Sequence, residues 1–502
     1  MEQMMNAAAC LFEKGGEKHV AIECGARRVS YGELRQAVAR GADAWKKIGL
    51  ATDDRVVVFA PDSIEWVEAY LAVIWAGGVA IGVNPRLGMN DLAPVLVESG
   101  VRFIWTTAEF VPQLLALTKT MQIPLRVVAV AADCTDWQAA CAAASAIPPM
   151  LRAPHDMALW IGTSGTTGTP KGVVHTQGVT APCAAFAENI LGAGPQDRLY
   201  ATSKLFFAYA LANSLFAGLR LGATVILDSE WPTAERAAEM VARHRPSIMF
   251  CVPTLYHKMI QTGVAAKLAG SGIRHFVSAG ETLPATVFTA WQKATGIAPI
   301  SGYGTSESLC LMLYADSPSG RLQPTPLTEI RCDELGAEIP QRVWFKHPAI
   351  ARGYWQRPKE DADSFRAGWF SPGDMFLRHG EWLEFTGRND DMLKIAGQWV
   401  STQWVEQTLK STCGEVIQDV AAVAVKNQDG LTEIAAFLVA TPKQEQAARL
   451  SLEKGIALLP GHKRPRWVHW VDALPLTATG KLQRSRLGEM HKAAAASAAS
   501  MN

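Results

Sequence analysis

The chain has 502 residues, 49% of them hydrophobic, and its 48 Lys and Arg against 47 Asp and Glu leave a net charge of +1. That length exceeds what one hydrophobic core serves, so at least two domains are expected, and the balanced charge gives no electrostatic reason to expect nucleic acid or an anionic membrane as partner. The longest apolar window, residues 71–83, is 13 residues with three glycines, short of the ~20 needed to cross a bilayer. Met1-Glu2-Gln3-Met4-Met5-Asn6 has no secretory character, and nine scattered cysteines without a Cys-x-x-Cys pair fit reduced thiols, so a cytoplasmic protein without a structural metal is expected.

Residues 20–130 alternate short β-branched runs with longer amphipathic ones. Runs at 20–23 and 28–29 flank Gly25 as a hairpin would, and Ser30-Tyr31-Gly32-Glu33 is a capping box opening a helix that ends near Gly49. Strands follow at 56–59, 79–83, 101–105 and 126–130, with helical stretches at 63–75 and 91–98. Strand and helix in alternation predict a doubly wound α/β sheet. Residues 131–156, rich in Ala and Pro and without a clear period, read as a connection.

An apolar strand at 157–161 then leads into Gly162-Thr163-Ser164-Gly165-Thr166-Thr167-Gly168-Thr169-Pro170-Lys171-Gly172, followed by a strand at 173–176. Glycines let backbone N–H groups turn toward one point, hydroxyls add neutral donors and Lys171 adds a positive charge, a combination suited to polyphosphate. Gly172 stands where a Walker loop would carry Ser or Thr for Mg²⁺, and no helix opens there, so a P-loop NTPase is set aside.

Strands at 223–227, 248–252 and 275–278 with a helix at 233–244 predict a second α/β sheet, whose strand ends would offer ligand crevices. Three features fall there: Ser278-Ala279-Gly280-Glu281, Ser301-Gly302-Tyr303-Gly304-Thr305-Ser306-Glu307, and Lys204-Leu205-Phe206-Phe207-Ala208-Tyr209. Near residue 385 the charged segment 384–391 interrupts two apolar runs as a linker would. Beyond it, a helix around Val405 and Leu409, strands at 420–425 and 434–439, a helix at 444–459 and a strand at 467–471 read as a small α+β domain. The expected architecture is α/β: a large N-terminal domain of doubly wound sheets, 1–388, a hinge at 389–391, and a small C-terminal domain, 392–502.

Residues 163–172, 302–307, Ser371-Pro372-Gly373-Asp374, Gly387-Arg388-Asn389-Asp390-Asp391 and Pro475-Leu476-Thr477-Ala478-Thr479-Gly480-Lys481 resemble, in order and spacing, the motif set of the adenylate-forming superfamily of acyl- and aryl-CoA synthetases, adenylation domains and luciferases. Segments 204–209 and 278–284 are similar, more narrowly, to those of benzoate-type CoA ligases. The resemblance implies ATP, Mg²⁺ and coenzyme A as cofactors and an aromatic carboxylic acid as substrate. It implies that Thr163, Ser164, Gly165, Thr166, Thr167, Gly168 and Lys171 hold the β- and γ-phosphates, that Glu307 ligates Mg²⁺, and that Gly280, Glu281, Tyr303, Gly304 and Thr305 line the nucleotide. Asp374 and Arg388 would contact the ribose. Lys481 would bridge the attacking carboxylate and the α-phosphate, with Thr166, Lys171 and Glu307 sharing the catalytic role. For the thioester step the small domain would swing about Asp390, bringing Gly397 to the pantetheine arm and Arg464 toward the CoA phosphates.

The implied acid pocket is Phe207, Ala208, Tyr209, Ala279, Gly304, Cys310 and Leu311. Two positions depart from the pattern. Pro372 replaces the usual Thr before Gly-Asp, removing a hydroxyl and a backbone donor. Cys310-Leu311 stands where benzoate-type enzymes usually carry His-Ile, leaving more volume and one fewer donor. The reading is an aryl-carboxylate CoA ligase acting without nucleic acid or membrane, with a homodimer compatible. Its rivals are an adenylating enzyme serving a carrier protein and a non-catalytic nucleotide-binding interaction protein on the same fold.

Overall fold

The structure, a computed structural model, describes residues 3–122, 124–129, 135–164, 170–332, 339–389, 392–395, 398–427, 431–476 and 482–499. The chain forms two compact units, Met1–Ile330 with Phe345–Pro372, and Arg331–Trp344 with Gly373–Asn502.

The first unit holds two α/β sheets. In one, the order is Gly353–Tyr354, Pro170–Thr176, Met157–Ser164, Val79–Gly82, Arg55–Phe59, Phe103–Thr106, Arg126–Ala129 and Thr135–Asp136. Pairing is parallel from Met157–Ser164 onward and antiparallel at the Gly353–Tyr354 end. In the other, Arg27–Ser30, Val20–Cys24, Thr224–Leu227, Arg198–Ala201, Ile248–Cys251, His275–Ser278, Ile300–Gly304, Leu311–Ala315 and Arg321–Pro324 follow in order. Its five central pairings are parallel. This is the doubly wound arrangement that the alternation predicts.

Local signals account for the helices. Ser30 and Glu33 make both bonds of the capping box at the start of Tyr31–Ile48, and Gly49 ends that helix at φ 106°. Ser63 caps Ile64–Trp75, and Thr233 caps Ala234–His244. Ile64–Trp75 is buried on nearly every side, as a helix apolar all round must be. Residues 131–156 correct the expectation of a bare connection. They contain the helix Trp137–Ala142, capped by Asp136 and anchored by Trp137, whose ring packs against Trp45 at 4.9 Å, tilted by 43°. Six residues are too few to display a helical period, so the cap was the only local signal.

The second unit is α+β. It carries the hairpin Asp374–His379 with Trp382–Arg388, the hairpin Met392–Ile395 with Gln398–Ser401, and a sheet of Ile417–Lys426, Thr432–Ala440 and Trp467–Trp470. Helices Thr402–Cys413 and Glu445–Leu458 bury Val405, Leu409 and Leu452 against Ala422, Ile434 and Leu438 of that sheet. Among the described residues no helix is long and apolar enough to cross a membrane.

Candidate active site

The Gly/Thr segment is a β-hairpin in which Gly162 pairs with Gly172 and Thr163 with Lys171. Gly172 is required by packing, since a Cβ there would meet the Trp160 ring at 2.9 Å. Lys171 stands at the mouth of the hairpin, 4.0 Å from the Glu360 carboxylate and 5.4 Å above the Tyr354 ring. Tyr354 extends the sheet beyond Val173, and its hydroxyl donates to Oε1 of Glu307 at 2.7 Å. Lys171, Tyr354 and Glu307 therefore converge from three separated stretches of sequence.

The turn that carries Glu307 is tightly held. Ser308 Oγ accepts from the Thr305 N–H at 3.0 Å and donates to the Cys310 carbonyl at 2.8 Å. Leu309 is left-handed at φ 59°, an uncommon conformation for a leucine, of the kind found where structure over-determines a turn. Gly304 admits no side chain, because a Cβ would lie 2.5 Å from the Cys310 carbonyl oxygen. The Glu307 carbonyl accepts from Ala351 N–H at 2.7 Å, and the Ser306 carbonyl lies 2.8 Å from Nε2 of the fully buried His175. A carbonyl only accepts, so Nε2 carries the proton. Burial pushes His175 down to about 4, against the opposing pull of its backbone hydrogen bonds, so the ring is neutral at pH 7.

Among the described residues no group of three or more His, Cys, Asp or Glu side chains would hold a metal. Glu307 stands as a single carboxylate oriented by a tyrosine hydroxyl. That donor set fits Mg²⁺, which keeps most of its water and shares phosphate oxygens, and does not fit a cation needing an all-protein cage.

Gly280, at φ 92°, turns the chain after His275–Ser278, and Glu281 accepts from the Thr254 hydroxyl at 2.6 Å. Tyr303, on Ile300–Gly304, lies 6.0 Å from the Phe345 ring at 33°. In the second unit Asp374 and Arg388 sit directly opposite one another across the hairpin, with Nη1 and Oδ1 3.9 Å apart. Gly373, at φ 76°, makes that corner, and its carbonyl accepts from Asn389 N–H at 2.7 Å. Pro372 leaves this corner intact.

The expected pocket residues lie in two adjoining apolar clusters, Tyr209, Ala279 and Leu311 in one and Ala208 and Cys310 in the other. Phe207 is 37% exposed and packs on Phe206 at 4.4 Å. Cys310 is buried, which pushes its thiol up to about 12, and its Sγ lies 3.5 Å from Nδ1 of His347. That Nδ1 also accepts from Ala349 N–H at 3.1 Å. Burial brings His347 down to about 4, opposed by a backbone hydrogen bond to Pro326. Thiol and imidazole are thus both neutral at pH 7, and neither is an activated nucleophile.

Gly165, Thr166, Thr167, Gly168, Asp390, Gly397 and Lys481 lie outside the described residues, as does the side chain of Ser164. Arg464 directs Nε and Nη2 to the carbonyls of Leu459 and Ala457, each at 2.8 Å, at the C-terminal end of Glu445–Leu458. Sequence reasoning missed Tyr354, His175 and His347. His175 lies in the strand that follows the Gly/Thr segment, but residue spacing gives no clue to its partner 131 positions away, nor to that of Tyr354, 47 away.

Residues 12–355 match the family model described as AMP-binding enzyme. The chain is 40% identical to the 3-hydroxybenzoate–CoA ligase of Aromatoleum sp. (strain CIB), covering 94% of each protein. It is 35% identical to the benzoate–CoA ligase of Thauera aromatica, covering 94% of this chain and 92% of that one. The crystal structure of the anthranilate CoA ligase AuaEII in complex with anthranoyl-AMP superposes with a TM-score of 0.87 at 25% identity, covering 99% of both chains.

Proposed function

Because the chain belongs to the AMP-binding enzyme family, we propose that it is an AMP-forming aryl-carboxylate CoA ligase. The acid's carboxylate oxygen attacks the α-phosphorus of ATP and pyrophosphate leaves. The thiol of CoA then attacks the carbonyl of the aryl-adenylate, AMP leaves, and a thioester remains. The observation that carries this reading is 40% identity across 94% of a 3-hydroxybenzoate–CoA ligase.

The chemical difficulty of the first step is that acid and triphosphate are both anions, so positive charge and N–H donors set in place beforehand are the main source of acceleration. Lys171 supplies one such charge beside the hairpin. Glu307 would hold a magnesium ion, whose charge would offset that of the triphosphate, and the Tyr354 hydroxyl orients that carboxylate. Asp374 and Arg388 take the ribose, Tyr303 the adenine, and Lys481 the carboxylate and α-phosphate. The neutral, buried Cys310 has no covalent role, since CoA brings its own thiol.

The test is exchange of labelled pyrophosphate into ATP with a panel of benzoates, followed by thioester formation with free CoA. Exchange with an aromatic acid and CoA-dependent turnover are expected. No exchange with any aromatic acid would sink the substrate class, and exchange without CoA turnover would favour a carrier-protein acceptor.

A further inference from the structure

We propose that Asp62 is the positioning residue for the wall of the acid pocket, fixing where the 205–209 segment begins and thereby how tightly and how selectively the aromatic acid is held. The inference rests on the ligase reading above. Asp62 follows strand Arg55–Phe59 of one sheet, whereas Leu205 follows Arg198–Ala201 of the other. The Asp62 side chain is buried, and its two carboxylate oxygens lie 3.2 and 3.1 Å from the Leu205 N–H, which they share. Removing that acceptor would leave the Leu205 N–H unsatisfied in apolar surroundings, which makes the bond costly to lose.

The neighbouring residue is fixed by the same cluster. Lys204 is buried, and its ammonium donates to the carbonyls of Asp228, at 2.6 Å, and Glu230, beyond strand Thr224–Leu227. Burial raises the Asp62 carboxyl to about 7, opposed by the charge of Lys204 and the Leu205 N–H. Close packing then leaves the segment little freedom. A Cβ on Gly82 would meet the Phe206 Cα at 3.2 Å and the Trp66 ring at 3.0 Å. On its other side Phe206 stacks at 6.3 Å on Trp231, over which the Arg86 guanidinium lies at 4.2 Å.

The far end of the segment is tied as firmly. The Tyr209 hydroxyl donates to the Val277 carbonyl at 3.0 Å, and the Tyr209 carbonyl accepts from Asn213 Nδ2 at 3.0 Å. Asn213 lies in Leu211–Phe216, a π-helical turn, a widened geometry frequent at functional sites. Phe207 and Ala208 therefore hang between two anchors, Asp62 at Leu205 and Val277 at Tyr209. Of these the Asp62 anchor alone is a side chain from outside the segment, so substitution can release it without touching a pocket residue.

The test compares the unaltered full chain with Asp62→Ala, Asp62→Asn and Gly82→Ala, measuring KM for ATP and for benzoate, 3-hydroxybenzoate and 2-aminobenzoate, with kcat referred to folded protein. Asp62→Ala is expected to raise the acid KM about tenfold and to compress the differences among the three acids, while the ATP KM moves by less than about twofold. Asp62→Asn keeps one acceptor and should recover part of the loss, and Gly82→Ala should shift acid preference in the same direction. A folded Asp62→Ala protein with unchanged acid KM and unchanged order of acids overturns the inference. So does failure of both Asp62 variants to fold, which marks a purely structural tie. Absence of turnover with every aromatic acid in the unaltered chain overturns the ligase reading itself, whereas turnover there with unmoved variants overturns only the role of Asp62.

Discussion

The Tyr354 hydroxyl donates to Oε1 of Glu307 at 2.7 Å, joining the outermost strand of one sheet to the turn that leaves strand Ile300–Gly304 of the other. A glutamate that is to present its carboxylate to a cation has three rotatable bonds to fix, and a donor on one oxygen restricts that freedom before the cation arrives. Tyr354→Phe deletes the donor and little else. It is expected to raise the Mg²⁺ concentration for half-maximal pyrophosphate exchange by about tenfold. Unchanged Mg²⁺ dependence would dissociate the pair from metal binding.

The same turn sets a steric requirement. At Gly304 an added Cβ would lie 2.5 Å from a backbone oxygen, that of Cys310, which no rotamer change relieves. Gly304→Ala should therefore displace the turn, with a loss of about 2 kcal/mol in stability and a disproportionate loss of adenylation. Denaturant midpoints and pyrophosphate exchange measured on one preparation separate the two effects.

Asp374 and Arg388 face one another across a hairpin with 3.9 Å between Oδ1 and Nη1, a separation at which the ribose hydroxyls remain able to compete for the carboxylate. Asp374→Ala should raise the ATP KM by about tenfold, the worth of one charged hydrogen bond, and leave the acid KM in place. An acid KM that moved in parallel would place Asp374 in general folding and not in nucleotide binding.

These relationships divide by how they are encoded. The capping box at Ser30 and Glu33, the hairpin around Gly162 and Gly172, and the alternation of strand and helix are local, so periodicity and turn chemistry reveal them. Glu307, Asp374 and Arg388 emerge because their neighbours form ordered motifs. Tyr354 on Glu307, His175 on the Ser306 carbonyl, and His347 on Cys310 arise from sheet order and strand register, which no local pattern specifies. The helix Trp137–Ala142 was hidden for another reason, being too short to show a period.

Lys481 is expected to act in one half-reaction only. On the proposed reading its ammonium would assist while charge passes from the carboxylate to the α-phosphate, and would have no part in attack of a thiol on the finished adenylate. Lys481→Ala should lose pyrophosphate exchange and still convert supplied aryl-adenylate to thioester. Equal loss of both steps would contradict the assignment.

Away from the site, Glu23 gives stability a definite pH dependence. It is buried on strand Val20–Cys24 and accepts from Arg198 at 2.5 Å, with Arg28 at 2.8 Å and His244 Nδ1 at 3.0 Å. Burial opposes its ionisation, but hydrogen bonds from Arg198 and His244 and the charges of Arg198 and Arg28 prevail, holding the carboxyl below its ordinary value of 4.5. The native state therefore binds fewer protons than the unfolded state in the interval between the two values, so stability rises with pH there. The contribution is complete above the ordinary range and is lost as pH falls through the lowered native value. Glu23→Gln should cost about 2 kcal/mol at pH 7, the size of a charged hydrogen bond. Its deficit relative to the unaltered chain should shrink below about pH 4.5, where the unfolded carboxyl takes up its proton. Unfolding midpoints at pH 7.5, 5 and 4 check this, and a deficit constant across all three would remove Glu23 as the source.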